Sequence, residues 1–339
     1  MTGLPIEVFV ARGLLIDLYE LIDSDPELRR SDFLQGALRA AEINGGLYQA
    51  FPLFSINTIV GNPSVLGAET GWNIDEFLAV IENNPQADRA MGTMVTGDLF
   101  MREVASMHID DFIDWTAGTT HFYRDEFVRL LEFSNTLPAE IDIAGGILND
   151  PEFIASGRQI MTIPINFSSF TDLYIHRAMY GGDLVFKGFP TDNRNGNAIS
   201  VASGLAISVG NESISGAWEF IRTFLTEQWQ LENTWRDGGF LTNKAAFETR
   251  LADYMIESAF PRTHSIGDWV VEIGTPTIAD VEQIMELIDS LSGTQGIDIT
   301  LTNIIMEGVN DFKAGRNSAE DTARIIQSRA SIFVAELGG

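Results

Sequence analysis

Cysteine is absent from this chain of 339 residues. That excludes a disulfide framework, a zinc knuckle and a thiol nucleophile, and it suits an oxidising compartment. Lysine is almost absent as well: Lys187, Lys244 and Lys313 are the full complement, and arginine supplies the rest of the positive charge. Only 21 lysines and arginines stand against 48 aspartates and glutamates, a formal net charge of −27. A surface this acidic repels nucleic-acid phosphates and anionic headgroups, which excludes both as partners and leaves neutral or cationic ligands. No apolar run approaches the ~18 residues of a membrane-spanning helix. The opening Met1-Thr2-Gly3-Leu4-Pro5 has neither the basic start nor the apolar stretch of a secretory signal. Taken literally, the sequence reads as cytoplasmic.

The signatures of chemistry are missing too. There is no glycine-rich dinucleotide loop, no P-loop, no nucleophile elbow and no HExxH helix. Of His108, His121, His176 and His264, no two share a helical face at metal-ligand spacing. The expectation is no metal, no cofactor and no enzyme activity.

What is present is material for a core. Hydrophobic residues make up 45% of the chain, and single cores stop growing near this length, so two lobes are expected. No linker or repeat divides the sequence, so any second lobe must arise from the chain crossing back and forth. Helix is expected around Val8 and Phe9, and again from about Glu27 to Glu42. An extended segment follows from Gly46 to Val60. Asn73 and Glu76 stand at capping-box spacing, with Trp72 and Phe77 at the staple positions. Ile74, Phe77, Leu78 and Ile81 then mark one helical face. Further helices are expected between about 96 and 135, with Phe127, Leu130 and Leu131 buried. Short strands are expected at Ile160–Ile165, Leu184–Phe186 and Leu205–Val209, and helices near Ser169, over Ser215–Leu225 and from Ser318, the last burying Ile325, Ile326, Ala330 and Phe333. Strands interleaved with helices make the fold class α/β.

The acidic group Asp110, Asp111 and Asp114 beside Trp115 has the residue types of a glycosidase pair. In a chain so rich in carboxylates, a solvated helix face is the stronger reading. Trp218, among Ala217, Phe220 and Ile221, reads as core. Two stretches read better as ligand contacts. In Asn166-Phe167-Ser168-Ser169-Phe170 a strand ends and a helix begins, bringing amides, hydroxyls and a ring together as a sugar requires. In Thr234-Trp235-Arg236-Asp237-Gly238-Gly239-Phe240 the glycines imply a loop, where such side chains are more often functional.

Several stretches carry a resemblance. Gly188-Phe189-Pro190-Thr191-Asp192, the helix Ala217–Leu225, Gly239–Glu248, and Ala314–Ala323 with Ile326–Arg329 resemble the second half of family 1 extracellular solute-binding proteins, the maltose-binding-protein-like group. Gly13–Leu18 and Gly46–Pro52 are similar to that family's region before the first interlobe crossing. The resemblance implies a two-lobed periplasmic-binding-protein type II fold, with the first strands of the N-terminal lobe, the signal peptide and any lipid-anchoring cysteine missing. It implies an N-terminal lobe of residues 1–54 and 192–250 and a C-terminal lobe of 55–191 and 251–339. Crossings fall near Leu53–Thr58, near Gly188–Asp192 and after Phe247. It further implies a monomeric, extracellular, membrane-anchored or periplasmic receptor. That receptor binds a sugar or oligosaccharide by hinge closure and delivers it to the permease subunits of an ABC importer. The site residues it implies are Asn166, Ser169, Phe170, Trp235, Arg236, Asp237, Gly239, Phe240 and Asn303, the last beside Thr302. The rivals are a glycoside-acting enzyme using Asp111 or Asp114, a binding protein for a peptide or other solute, and a sensor presenting sugar to a membrane kinase.

Overall fold

A computed structural model describes residues 6–107, 109–115, 117–141, 150–163, 166–201, 203–235, 238–256, 262–266, 269–294 and 298–337. Arg236 and Asp237, and the Pro164-Ile165 end of one expected strand, lie outside these.

The chain opens with α1 (Ile6–Ala11) and α2 (Leu18–Ser24), whose first turn Asp17 caps by accepting from Tyr19 N at 2.9 Å. Of the helix expected over Glu27–Glu42, only α3 (Gln35–Ala41) forms. Upstream of it, carboxylates satisfy the backbone in turns instead. Asp25 accepts from Glu27 N and Leu28 N at 2.9 and 3.0 Å, and Asp32 accepts from Arg29 N at 2.7 Å. A hairpin of β1 (Glu42–Ile43) and β2 (Gly46–Leu47) precedes β3 (Leu53–Asn57) and β4 (Val60–Gly61).

After α4 (Pro63–Leu66), α5 (Ile74–Glu82) begins where the capping box places it. Asn73 Oδ1 accepts from Glu76 N and the Glu76 carboxylate accepts from Asn73 N, both at 3.0 Å. The staple forms as an edge-to-face contact of Trp72 and Phe77 with ring centroids 5.3 Å apart. Such a pair contributes about 0.5–1.5 kcal/mol beyond burial. Helices α6 (Gly97–Met107), α7 (Ile109–Phe112) and α8 (Asp125–Ser134) follow, separated by a hairpin of β5 (Ile113–Asp114) and β6 (Thr119–Thr120) that breaks the expected helical run. Phe127, Leu130 and Leu131 are fully buried, as their spacing implies.

The middle of the chain supplies α9 (Asp150–Ala155), β7 (Met161–Thr162), α10 (Phe170–Tyr180), β8 (Val185–Phe186), β9 (Ala198–Ser200), α11 (Ile214–Leu225), α12 (Glu227–Asn233) and β10 (Phe240–Leu241). Residues 205–209, expected as a strand, make only the isolated bridges Leu205–Ala50 and Ser208–Leu15. The C-terminal part consists of α13 (Lys244–Ile256), the hairpin β11 (Arg262–Ile266) and β12 (Trp269–Ile273), α14 (Ile278–Asp289), β13 (Gly293–Thr294), α15 (Ile299–Lys313) and α16 (Ala319–Leu337). In α16, Ile326 and Ala330 are fully buried, but Ile325 is turned outward, one position off the buried stripe.

These elements enclose two principal cores. One four-stranded sheet, in the order β10-β3-β9-β13, sits in the first, with Phe240 opposite Phe54 and Ile56 opposite Ile199. Leu18, Phe33, Phe51, Trp218, Phe247 and Ile288 surround it. A three-stranded sheet, β7-β4-β8, borders the second, which gathers Phe77, Phe100, Phe127, Leu131, Ile305 and Ile326. The expected division placed 55–191 and 251–339 in one lobe. Here Phe167, Leu173, Tyr254, Ile284, Leu287 and Leu291 pack in the first core, and Leu301 through Val334 in the second.

Passages between the cores include 57–59, 187–198 and 291–298, and these three are bonded side by side; Met161 and Phe167 also lie in different cores. Gly188 N donates to Thr58 Oγ1 at 3.1 Å, Lys187 N to Ile59 O at 2.8 Å, and Ser292 N to Asn197 O at 2.9 Å. Gly188, at φ +65°, is needed here: a Cβ on it would meet the backbone of Gly196 and Asn197 at 2.5–2.9 Å.

Candidate ligand-binding site

The sequence-expected residues separate into two groups. Ser169, Phe170, Gly239 and Phe240 come together around a cavity of only about 20 Å³. Ser169 is spent as the cap of α10, accepting from Asp172 N at 3.3 Å. The rings of Phe170 and Phe240 are buried, Phe170 against Tyr254 at 5.7 Å and Phe240 against Phe54 at 5.8 Å and Phe167 at 6.0 Å. Asn166 is exposed in a left-handed turn (φ 65°), accepting from Ser55 Oγ at 3.1 Å. Trp235 projects into solvent, 87% exposed. Asn303 is exposed on α15 and lines none of these cavities.

A far larger cavity, about 1060 Å³, lies between the two cores. That slightly exceeds the ~300–1,000 Å³ usual for small-molecule pockets. Its first wall is Glu7, Val8 and Ala11 of α1 with Ala40, Glu42, Ile43 and Asn44 around β1. Its second wall comes from the far core: Ala105–Met107 of α6, Asp111 of α7, then Asp114, Trp115 and His121 of the β5–β6 hairpin region. The floor is the crossing chain itself, Thr191 to Ala198 and Ser292 to Thr294, closed by Asp298 and Leu301 where α15 begins.

The electrostatics of this cavity are one-sided. Glu7, Glu42, Asp111, Asp114 and Asp298 supply five carboxylates, and no lysine or arginine is among the described lining residues. Four of the five carboxylates are oriented by a hydrogen bond. Glu42 accepts from the Tyr19 hydroxyl at 2.6 Å, Asp114 from Ala117 N at 2.8 Å, Asp298 from Leu301 N at 2.8 Å, and Asp111 from Asp192 N at 3.3 Å. Burial, and then the bond to Glu42, push the Tyr19 phenol well above its ordinary range. It stays protonated and donating, and so holds Glu42 in the wall. Behind the floor, Arg124 ties the crossing to the second wall, donating to Asp192 Oδ2 at 2.8 Å and to the Asp111 carbonyl at 3.3 Å. Among the described residues no group of histidines and carboxylates could hold a metal ion.

Asp111, Asp114 and Trp115, read from sequence as a solvated helix face, therefore line this cavity. The hairpin is the reason: it ends the helix at Phe112 and turns Asp114 and Trp115 toward the gap. Gly118, in the left-handed region at φ +64°, was the turn signal in the sequence.

No family model matches the sequence, and no curated protein does. Solved structures are similar in fold. The sugar-binding protein MalE of Xanthomonas citri has a TM-score of 0.57 at 11% identity, covering 97% of this chain and 82% of that one. An oligosaccharide periplasmic-binding protein of Synechococcus sp. MITs9220 has a TM-score of 0.55 at 12% identity, covering 99% and 84%. The GacH receptor of Streptomyces glaucescens has a TM-score of 0.52 at 16% identity, covering 98% and 81%. At these identities the likeness is one of architecture: the chain has the two-lobed α/β fold of the periplasmic binding proteins.

Proposed function

We propose that this protein is the solute-binding receptor of an ABC importer, and that it holds a sugar or oligosaccharide in the cavity between its lobes. One observation carries the reading: the 1060 Å³ cavity has walls belonging to different hydrophobic cores, joined by a floor of crossing chain. A ligand there touches both lobes and can draw them together about residues 57–59, 187–198 and 291–298, which is hinge closure. The cavity also has the chemistry a sugar needs. Trp115 offers a ring, and Asn44, Asn193, Asn195 and the carboxylates offer polar groups for hydroxyls.

The structural likenesses support the ligand class. MalE is a sugar-binding protein, the GacH receptor was solved in complex with acarbose, and Lmo0181 of Listeria monocytogenes was solved with cycloalternan. The receptor acts as a monomer outside the cell membrane and hands its ligand to permease subunits. No helix among the described residues is long and apolar enough to cross a membrane.

A second reading has a specific observation in its favour: Asp111 and Asp114 line the same cavity beside Trp115, as a glycoside-cleaving pair would. Thermal unfolding against a panel of mono- and oligosaccharides, with product analysis on each hit, separates the two. A raised melting temperature with the glycan intact is expected of a receptor, because a ligand that binds only the folded state stabilises it. A consumed glycan establishes the enzyme, and no response to any glycan removes sugar as the ligand class.

A further inference from the structure

A second cavity, about 360 Å³, shares no lining residue with the first. It lies beside α10, between the C-terminal end of that helix, the end of α9 and the turn that follows α5. None of the described residues lining it carries a charge, in a protein whose net charge is −27. Its polar groups are the amides of Asn62, Asn84, Gln86 and Gln159 and the phenol of Tyr180. Ile154, Ile160 and Met179 give it an apolar side.

Asn62 and Asn84 are bonded at both ends of the amide, and Gln86 donates to Asn84. Asn62 donates to Tyr180 O at 3.2 Å and accepts from Ser64 N at 2.8 Å. Asn84 donates to Val80 O at 2.8 Å and accepts from Gln86 Nε2 at 3.0 Å. Gln159 differs. It is 3% exposed, and its Nε2 donates to Met161 O and to Thr162 Oγ1, both at 3.1 Å. A backbone carbonyl can only accept, so this contact fixes which end of the amide is nitrogen. The carbonyl end, Oε1, is buried and accepts nothing from the protein. Buried acceptors in native proteins are nearly always matched, so this one calls for a donor. The residue lines the cavity, and the cavity is where such a donor can enter.

We propose that this cavity is a second binding site, independent of the interlobe one, for a neutral, multiply hydroxylated small molecule such as a single sugar ring or a cyclic polyol. Hydroxyls both donate and accept, which suits a rim of amides. An uncharged wall makes no demand for a charged ligand, and the apolar side accepts the C–H face of a ring. The Gln159 carbonyl accepts a hydrogen bond from one hydroxyl.

Methionine methyl groups report on the two cavities separately, since Met179 lines this one and Met107 the interlobe one. The full chain, labelled with ¹³C at the methionine methyls, is titrated with D-glucose and with myo-inositol and followed by NMR. A saturable shift of Met179 with at least one probe is expected. Ala178→Trp, on the exposed face of α10 at the cavity wall, should abolish that shift while leaving any Met107 response unchanged. Gln159→Leu should weaken the binding seen at Met179 at least tenfold, and if that variant does not fold, Ala178→Trp alone decides. A silent Met179 with both probes overturns the proposal, whatever Met107 does. A Met179 shift unchanged in Ala178→Trp or in a folded Gln159→Leu also overturns it. A Met107 response without one at Met179 leaves the interlobe reading standing and removes only the second site.

Discussion

Trp115 and Trp235 make opposing predictions about where ligand binds. Trp115 lines the interlobe cavity and is 37% exposed, whereas Trp235 is 87% exposed and lines none of the three cavities. A tryptophan buries up to roughly 150–250 Å², so the exposed part of Trp115 leaves about 55–90 Å² for a ligand to cover. At about 25 cal/mol per Å² that coverage is worth about 1.4–2.3 kcal/mol. Trp115→Ala should therefore weaken glycan binding about ten- to fifty-fold, at 1.4 kcal/mol per factor of ten. Trp235→Ala should change it by less than about twofold, since a ring outside the cavity gains no cover when the lobes close. Isothermal titration of the best glycan against both variants and the parent measures this directly, with circular dichroism confirming the fold. A large loss on Trp235→Ala with none on Trp115→Ala would refute the placement of ligand between the lobes. It would return the site to the loop that the sequence and the family resemblance single out.

Two further consequences follow from charge. A glucuronate-bearing oligosaccharide should bind at least about fivefold more weakly than its neutral counterpart at low salt, because a like charge ~4 Å from one of five carboxylates costs about 1–4 kcal/mol. The gap should narrow as salt is added and the Debye length falls below ~10 Å; equal affinities throughout would show that the carboxylates do not face the ligand. Asp25→Asn should lower stability by about 2–3 kcal/mol at neutral pH, read from urea unfolding. Burial alone would raise the Asp25 carboxyl, but bonds from Glu27 N, Leu28 N, Trp218 Nε1 and Arg222 outweigh it and hold it below its ordinary value. Its contribution is thus complete above the unfolded pKa of ~3.9 and disappears as pH falls through the lower folded value, so parent and variant should converge in acid.

What the sequence disclosed about the fold was local. The capping box at Asn73 and the Trp72–Phe77 staple are set within six residues, and both formed where the spacing put them. The α11 helix and the buried Phe127-Leu130-Leu131 stripe were legible for the same reason. Failures came where a competing local bond or a distant partner decides. The Asp25 and Asp32 carboxylates cut short the helix expected at Glu27, and residues 205–209 meet their neighbours only at single bridges. For the candidate site, sequence reasoning brought Phe170 and Phe240 to one place, but that place is packed against Phe54, Phe167 and Tyr254. Trp115 and Asp114 looked like any acidic helix face, because a reading at helical period passes over the hairpin turn marked by Gly118. The first wall, from α1 and β1, could not be seen at all. Glu7 and Glu42 are 35 positions apart in the chain, and both are far in sequence from Asp111.

The floor of the cavity links binding to motion without any further device. Thr191 to Ala198 is at once a lining segment and a passage between the cores. It is fastened to the second lobe by Arg124 on Asp192 and by Arg194 on Glu76 at 2.6 Å, and just upstream Trp72 Nε1 donates to the Gly188 carbonyl at 2.8 Å. On its other side, Asn197 O receives Ser292 N, and β9 joins β13 in parallel. The floor is therefore fastened to both lobes, at Asp192 and Arg194 to the second wall and at Ala198, through the β9–β13 pairing, to the sheet of the first core. A ligand can shift a hinge equilibrium only by what it gains in the closed form over the open one. Taking such a hinge from 1:99 to 99:1 needs about 5.5 kcal/mol of difference. The 1.4–2.3 kcal/mol available from Trp115 covers less than half of that. Polar contacts on the first wall can add to this, where Glu42 is held by Tyr19 and Asn44 stands in a left-handed turn at φ 52°. On the proposed reading, a ligand that reaches only Trp115 and the floor binds without closing the protein, so a glycan long enough to span to Glu42 should close it and a shorter one should not.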